Sequence, residues 1–410
     1  MQPRRWLMIL GVTAMVLAGI LATASSHAKE PKGDDDQAPA APADYQSQHF
    51  LVHTDLAPRE ARALLDRLET MLGLISNYWG RPLSGIIECY VVRDVKNWPA
   101  NSLEAEGREK IEHGAGVTIS RKLVRGNRYL AKSVVYAVAD HGTPQHEAVH
   151  AYCAQTFGDV GPTWYSEGMA EMGNYWRAND PSVQVEPQIL QYLRESDPKS
   201  LNEIVNAREL SGDSWQNYAW RWALCHLLAN NTNYSDRFRP LGLALLNRQP
   251  TRFEDAYGSM SNEISFEYLE FVRNVEPGYR ADLCSWDWNK RFSRPHSRPI
   301  SVKVHAERGW QPTRVEVAEG DVLQFTTTGE WRLEKEGTDL TAAGNQEGAG
   351  KLIGVWFRDF ELSEPFELGD EGEIEAPHPG RLYVRCQDGW GSLADNHGSV
   401  TLKIRAAKGR

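Results

Sequence analysis

Two histidines stand four residues apart, His146 and His150, with Glu147 directly after the first, and Glu167 follows seventeen residues after His150. Residues four apart on an α-helix share one face. Local signals predict a helix there. Thr143 reads as its N-cap, Pro144 as its first residue and Gly158 as its stop, which leaves about four turns. Pro162-Thr163 then opens a second, shorter helix on which Glu167 and Glu171 are again four apart and share a face.

These residue types in this spacing form the donor set of a zinc site. Two imidazoles from one helix and a carboxylate from another give three protein ligands and leave one position open for water. Glu147 is aimed at that open position and is the candidate general base. Glu171 is placed to accept a hydrogen bond from the second ring nitrogen of a ligating histidine. A pair of surface histidines with no shared role is the plainer alternative. The second helix, with Trp164-x-x-Glu167-Gly168, makes that coincidence rare.

The pattern His146-Glu147-x-x-His150 with Trp164-x-x-Glu167-Gly168-x-Ala170-Glu171 resembles the gluzincin metallopeptidases, in particular the thermolysin-like "peptidase MA-like" group of exported bacterial proteins. The resemblance covers residues from about 46 to 280. It implies a zincin-like domain that binds Zn2+ through His146, His150 and Glu167, uses Glu147 as base and acts on a peptide or protein substrate. The gap between the two motifs is shorter than in the aminopeptidase branch, so exopeptidase and endopeptidase both stay open. Gluzincins also use a downstream Tyr or His to stabilise the tetrahedral oxyanion. Tyr218, in the run Trp215 to Trp222, is the candidate here, and His226 is its rival.

The N-terminus reads as a leader. Arg4 and Arg5 precede an apolar run from Trp6 to Ala22, and Ser26-His27-Ala28 offers small residues for a cut after Ala28. Retention as an N-terminal anchor is the other possibility. Residues 29–43 are charged and rich in Pro and Ala, the composition of a disordered linker. The chain is thus expected to be exported, to a periplasm or the exterior, with no membrane contact beyond the leader. Its formal net charge of −10 sits on no basic cluster, which argues against nucleic acid and anionic lipid as partners. Five cysteines without metal-type spacing allow one or two bridges in an oxidising compartment, or free buried thiols.

Beyond the leader the pattern changes twice. Residues 48–54 and 86–92 read as strands, with an apolar 3.6-residue period from Pro58 to Leu72 between them; 115–120 and 133–139 suggest two more strands. From about 140 to 275 the chain reads as helical, so residues 44–290 are expected to form an α+β domain. Residues 291–299 read as a linker. Short β runs then recur at 300–306, 313–317, 322–328, 352–357, 381–386 and 399–405, which predicts an all-β sandwich over residues 300–410.

That last segment carries a second resemblance. Gly309-Trp310-Gln311-Pro312-Thr313, Gly329-Glu330-Trp331, Leu352-Ile353-Gly354, Gly380-Arg381-Leu382-Tyr383 and Asp388 to Ser399 recur in an order similar to the PA-I-like galactophilic lectins. The resemblance implies Ca2+ held in a loop by Asp388, the backbone carbonyl of Ser392 and the side chains of Asp395 and Asn396, and a glycan ligand. Oxygen-only donors suit calcium. The stretch Thr338 to Gly348, where that family carries a sugar-contacting His, has none, which leaves galactose specificity unsupported. The expected protein is an exported zinc metallopeptidase with an accessory lectin-like module; the alternative is a non-catalytic glycan-binding protein built on a degenerate peptidase scaffold.

Overall fold

The computed structural model describes residues 41–125, 128–177, 179–211 and 214–407. The leader expected at 1–28 and residues 29–40 of the expected linker lie outside them. The chain begins with strands β1 (Ala43–Gln46) and β2 (Phe50–Thr54), helix α1 (Pro58–Trp79), strand β3 (Ile87–Val92), helix α2 (Ala105–Glu112) and strands β4 (Gly116–Arg125) and β5 (Arg128–Val138). These strands form one sheet in the order β1-β2-β3-β5-β4. The three inner strands run parallel, and the two edge strands, β1 and β4, run antiparallel to their neighbours. β1 precedes the first strand expected, at 48–54, and its largely exposed side chains explain why no apolar alternation announced it.

One face of the sheet is covered by α1, whose stripe Ala61, Leu64, Leu65, Leu68, Met71, Leu72 and Ile75 is buried against Phe50, Val52, Cys89 and Val91. The other face meets the short α2 through Ile111, Val134 and Tyr136. Eight further helices follow: α3 (Thr143–Phe157), α4 (Thr163–Tyr175), α5 (Pro187–Glu195), α6 (Leu201–Asn206), α7 (Ser214–Asn230), α8 (Ser235–Leu246), α9 (Phe253–Tyr257) and α10 (Ser261–Asn274). α3 and α4 are buried on nearly every side, so they lack the single apolar stripe of a surface helix. They lie at the centre of this region, between the sheet and α7. Among the described residues no helix is long and apolar enough to cross a membrane.

The remainder is built of strands: β6 (Ile300–His305), β7 (Gln311–Val317), β8 (Val322–Arg332), β9 (Leu352–Arg358), β10 (Glu361–Leu362), β11 (Phe366–Glu367), β12 (Glu371–Glu375), β13 (Gly380–Cys386) and β14 (His397–Ala406). One sheet runs β10-β9-β13-β7 with β11 also on β9, and the other runs β12-β8-β14-β6. Their inner faces share a core that includes Val315, Phe325, Trp331, Leu352, Trp356, Leu382 and Leu402. β12, with the sequence Glu-Gly-Glu-Ile-Glu, is an exposed polar strand without an apolar signal. The molecule thus has an α+β region followed by β-sheet regions, and all five cysteines are free thiols.

β9 is buried at six successive positions from Leu352 to Phe357. Leu352 and Trp356 enter the sheet-on-sheet core. Ile353, Val355 and Phe357 face outward and meet Phe266 of α10 and Trp286. A strand covered on both faces needs a continuous apolar run. The segment read as a linker is held as well. Ser293 bridges Val315 in parallel, and Ala406 N–H donates to the His296 carbonyl at 3.0 Å.

Candidate metal centre

α3 is started by Asp140 rather than by Thr143. The Asp140 carboxylate accepts from the N–H groups of Gly142 (3.0 Å) and Thr143 (2.7 Å) and from the Thr143 hydroxyl (2.7 Å), while Gly142 takes the N-cap position. A carboxylate at a helix N-terminus satisfies its free donors and opposes its dipole. Gly158 ends the helix in the left-handed conformation, as expected. α4 begins at Thr163 after Pro162.

The two helices bring three donor atoms together. His146 Nε2 lies 3.2 Å from His150 Nε2 and 3.2 Å from Glu167 Oε2, and His150 Nε2 lies 3.4 Å from the same oxygen. Ligands at about 2.0–2.1 Å from a tetrahedral zinc ion lie roughly 3.3 Å from one another. The triangle has the dimensions of one face of such a coordination shell. His146 Nδ1 is engaged at 2.8 Å by Glu171 Oε1, which fixes its ring orientation and presents Nε2 to the cluster.

The electrostatics agree with a cation there. Burial pushes the Glu167 carboxyl up, but His146 and His150 outweigh it and hold the group far below the carboxylate range. Burial pushes the His146 imidazole down, but Glu167 and Glu171 outweigh it and raise the group well above its usual value. Glu147, Glu167 and Glu171 bring three formal negative charges to two imidazoles. One buried guanidinium, Arg221 of α7, lies within electrostatic reach of Glu167; burial pushes it down and Glu167 restrains that shift. With both imidazoles neutral, the form in which histidine binds a metal, a divalent ion would bring the formal charge of this group to zero. By donor type, spacing and charge, the residues fit zinc.

Glu147 is buried beside the cluster, and the Thr118 hydroxyl of β4 reaches its Oε2 at 2.7 Å and its carbonyl oxygen at 2.8 Å. Tyr218 of α7 lies with its ring 5.0 Å from the His146 ring. The rival, His226, is two helical turns further along. It is buried between Trp222 and Phe271 and stacks on the latter at 5.7 Å. Thr118 and Arg221 were not legible from the motifs. Packing of distant elements brings Thr118 to Glu147 and Arg221 within electrostatic reach of Glu167.

The loop from Asp388 to Asn396 is arranged differently. The side chains of Ser392 and Asp395 are exposed. Asp388 Oδ1 accepts from Gly389 N–H at 2.8 Å, its carbonyl accepts from the Arg385 guanidinium, and the Asn396 amide donates to the Ala306 carbonyl at 3.3 Å. Asp388 Oδ2, Asn396 Oδ1 and the neighbouring Gln387 Oε1 are buried without a hydrogen-bond partner. Such oxygens suit a hard cation. The same loop is also a docking element. Gly391 N–H donates to Glu276 Oε1 at 2.5 Å, and a Cβ on Gly391 would lie 2.0 Å from the Pro277 carbonyl oxygen. Trp390 faces Tyr279 at 6.2 Å, with the Arg385 guanidinium 3.7 Å above its ring.

No sequence-family profile matches the chain, and no curated protein matches it. Among solved structures, 22 chains match. One of them, described as "EclA N-terminal domain; PllA-like lectin", is 20% identical, with a TM-score of 0.23, over 27% of this chain and 98% of its own.

Proposed function

We propose that this chain is a zinc-dependent peptidase with a zincin-like α+β region, in which Glu147 is the general base. The observation that carries this reading is the triangle of His146 Nε2, His150 Nε2 and Glu167 Oε2 with Glu147 beside it. A zinc ion held by those three groups would supply Lewis acidity, polarising a carbonyl and acidifying a water. Glu147 takes the proton of the attacking water and delivers it to the leaving nitrogen, so that the amine departs neutral. Tyr218 donates its phenolic hydrogen to the oxygen of the former carbonyl as charge develops there; a phenol does so without adding charge. Glu171 keeps the His146 ring in place. The leader-like residues before Ala28 support an exported protein, in a periplasm or outside the cell.

Elemental analysis of the purified chain tests the first half of the reading. About one zinc per chain is expected. A quenched fluorescent peptide library, with a chelator control, tests the second. Glu147→Gln should retain zinc and lose hydrolysis by roughly a hundredfold to ten-thousandfold, the usual contribution of a general base. A folded, metal-free protein, or a Glu147→Gln variant as active as the parent, overturns the reading.

A second reading, a glycan-binding protein whose α+β region is a catalytically idle scaffold, draws on the unpartnered buried oxygens of Asp388 and Asn396. Calcium held there would be its mark. Calorimetry of calcium binding to the full chain, followed by a glycan array, separates it from the first.

A further inference from the structure

We infer that Thr118 is a positioning residue for Glu147, tying the edge strand β4 to the candidate general base. This deepens the hydrolytic reading and rests on it.

The observations come from the strand side of the site. β4 is the outermost strand of its sheet and runs antiparallel to β5, with Thr118 paired to Val135. From there the Thr118 hydroxyl bifurcates toward two oxygens of one residue, Glu147 Oε2 at 2.7 Å and Glu147 O at 2.8 Å. The carbonyl contact locks the hydroxyl to the backbone of α3. The carboxylate contact locks the head of the side chain. The terminal torsion of a glutamate is broad and roughly two-fold, so nothing intrinsic to Glu147 holds its carboxylate plane. Thr118 supplies that restraint, commits Oε2 to the strand and leaves Oε1 to receive a proton. Threonine suits the task because its branched Cβ stiffens the torsion that aims the hydroxyl.

Two residues earlier the same strand is shaped to the same side chain. A Cβ on Gly116 would lie 2.7 Å from Glu147 Cγ and 2.6 Å from Thr143 Cγ2. Glycine there admits the stem of Glu147, and Thr118 grips its head. The strand thus makes room for the stem of Glu147 at one residue and binds its carboxylate at another.

The test uses the full zinc-loaded chain and three variants: Thr118→Val, which is nearly isosteric but lacks the hydroxyl, Thr118→Ser, which keeps it, and Glu147→Gln. A hydrogen bond to a charged group contributes about 1.5–3 kcal/mol. On the quenched peptide library, Thr118→Val should therefore lower kcat roughly tenfold to a hundredfold, with KM and zinc content unchanged. Thr118→Ser should stay within about threefold of the parent. An unaltered kcat in Thr118→Val overturns the proposal, as does an equal fall in both threonine variants. Should Thr118→Val fail to fold, Thr118→Ala takes its place with the same expectations. A crystal structure of the valine or alanine variant gives a readout independent of turnover. The Glu147 carboxylate should rotate from its place while His146, His150 and Glu167 keep theirs. If the parent cleaves no peptide, the hydrolytic reading falls on that result. The crystallographic arm then still decides whether Thr118 holds Glu147, and an unmoved carboxylate refutes it.

Discussion

The helix pair of the α+β region and the loop of the β region both carry regular residue spacings, and they hold their donor groups by different means. His146 and His150 are fixed by a helix buried on all sides, and Glu167 by a second, so their donor atoms meet within 3.4 Å. In the loop, the Asp395 side chain is exposed, while Asp388 and Asn396 have partners for some of their atoms and each keeps one buried oxygen without a partner. A helix sets side-chain direction through its period. A loop sets it through what it packs on. This loop packs on residues 276–279.

The largest expected effect separates the two elements outright. His150→Ala should abolish zinc binding and hydrolysis, and Asp388→Ala should leave both unchanged, measured by elemental analysis and peptide turnover. Zinc retained in His150→Ala would break the comparison at its stronger end.

The next concerns the anchor beneath β9. Glu267 is a buried carboxylate that accepts from the side chains of Asn231, Asn233, Tyr234 and Trp288 and from Trp286 N–H. Burial pushes its carboxyl up while these donors pull it down. It thereby holds the aromatic segment on which β9 rests. Glu267→Ala leaves several buried donors unpaired, at about 1–3 kcal/mol each, so a loss of at least roughly 3 kcal/mol is expected in urea unfolding. Limited proteolysis should then cut near Trp286 and Trp288, which Glu267 holds.

His226 gives a smaller, pH-dependent effect beneath the same loop. It stacks on Phe271, Phe271 on Tyr279, and Tyr279 faces Trp390. Burial pushes the imidazole down to about 4, with Asp282 opposing. The unfolded chain, with a value near 6.5, then binds more protons than the folded one between those limits. Stability is complete above about pH 6.5 and falls as the pH drops toward 4, by roughly 3 kcal/mol in all. His226→Phe should flatten that slope; urea unfolding at pH 7, 5 and 4 measures it, and an unchanged slope removes His226 as its source.

The smallest effect tests whether the loop retains any cation site. At a hundredfold excess over its dissociation constant, calcium should stabilise the full chain by about 2.7 kcal/mol, seen as a rise in Tm that Asp388→Ala removes. No rise would leave the loop a docking element alone.

Much of the site was legible because it is local. Glu147, the three candidate ligands and Glu171 lie within 26 residues on two helices whose ends are punctuated by Pro and Gly. Tyr218 was within reach only through the gluzincin resemblance. Thr118 and Arg221 carry no motif and enter by tertiary packing. The N-cap assigned to Thr143 belongs to Gly142, with Asp140 supplying the carboxylate, since a neighbour two positions earlier competes for the same donors. In the β region the main strands were visible from apolar runs, whereas β12 there and β1 in the α+β region were not, because exposed strands owe their place to a neighbour's backbone.

The double coverage of β9 has a consequence for how the chain is made. Ribosomes deliver Phe266, Trp286 and Trp288 well before Ile353, Val355 and Phe357, the residues that cover them. Until roughly seventy further residues have emerged, the nascent α+β region carries an uncovered aromatic patch, and such patches recruit holding chaperones or neighbouring chains. Chains truncated after residue 300 should therefore expose this patch and bind an apolar dye, and the full chain should not.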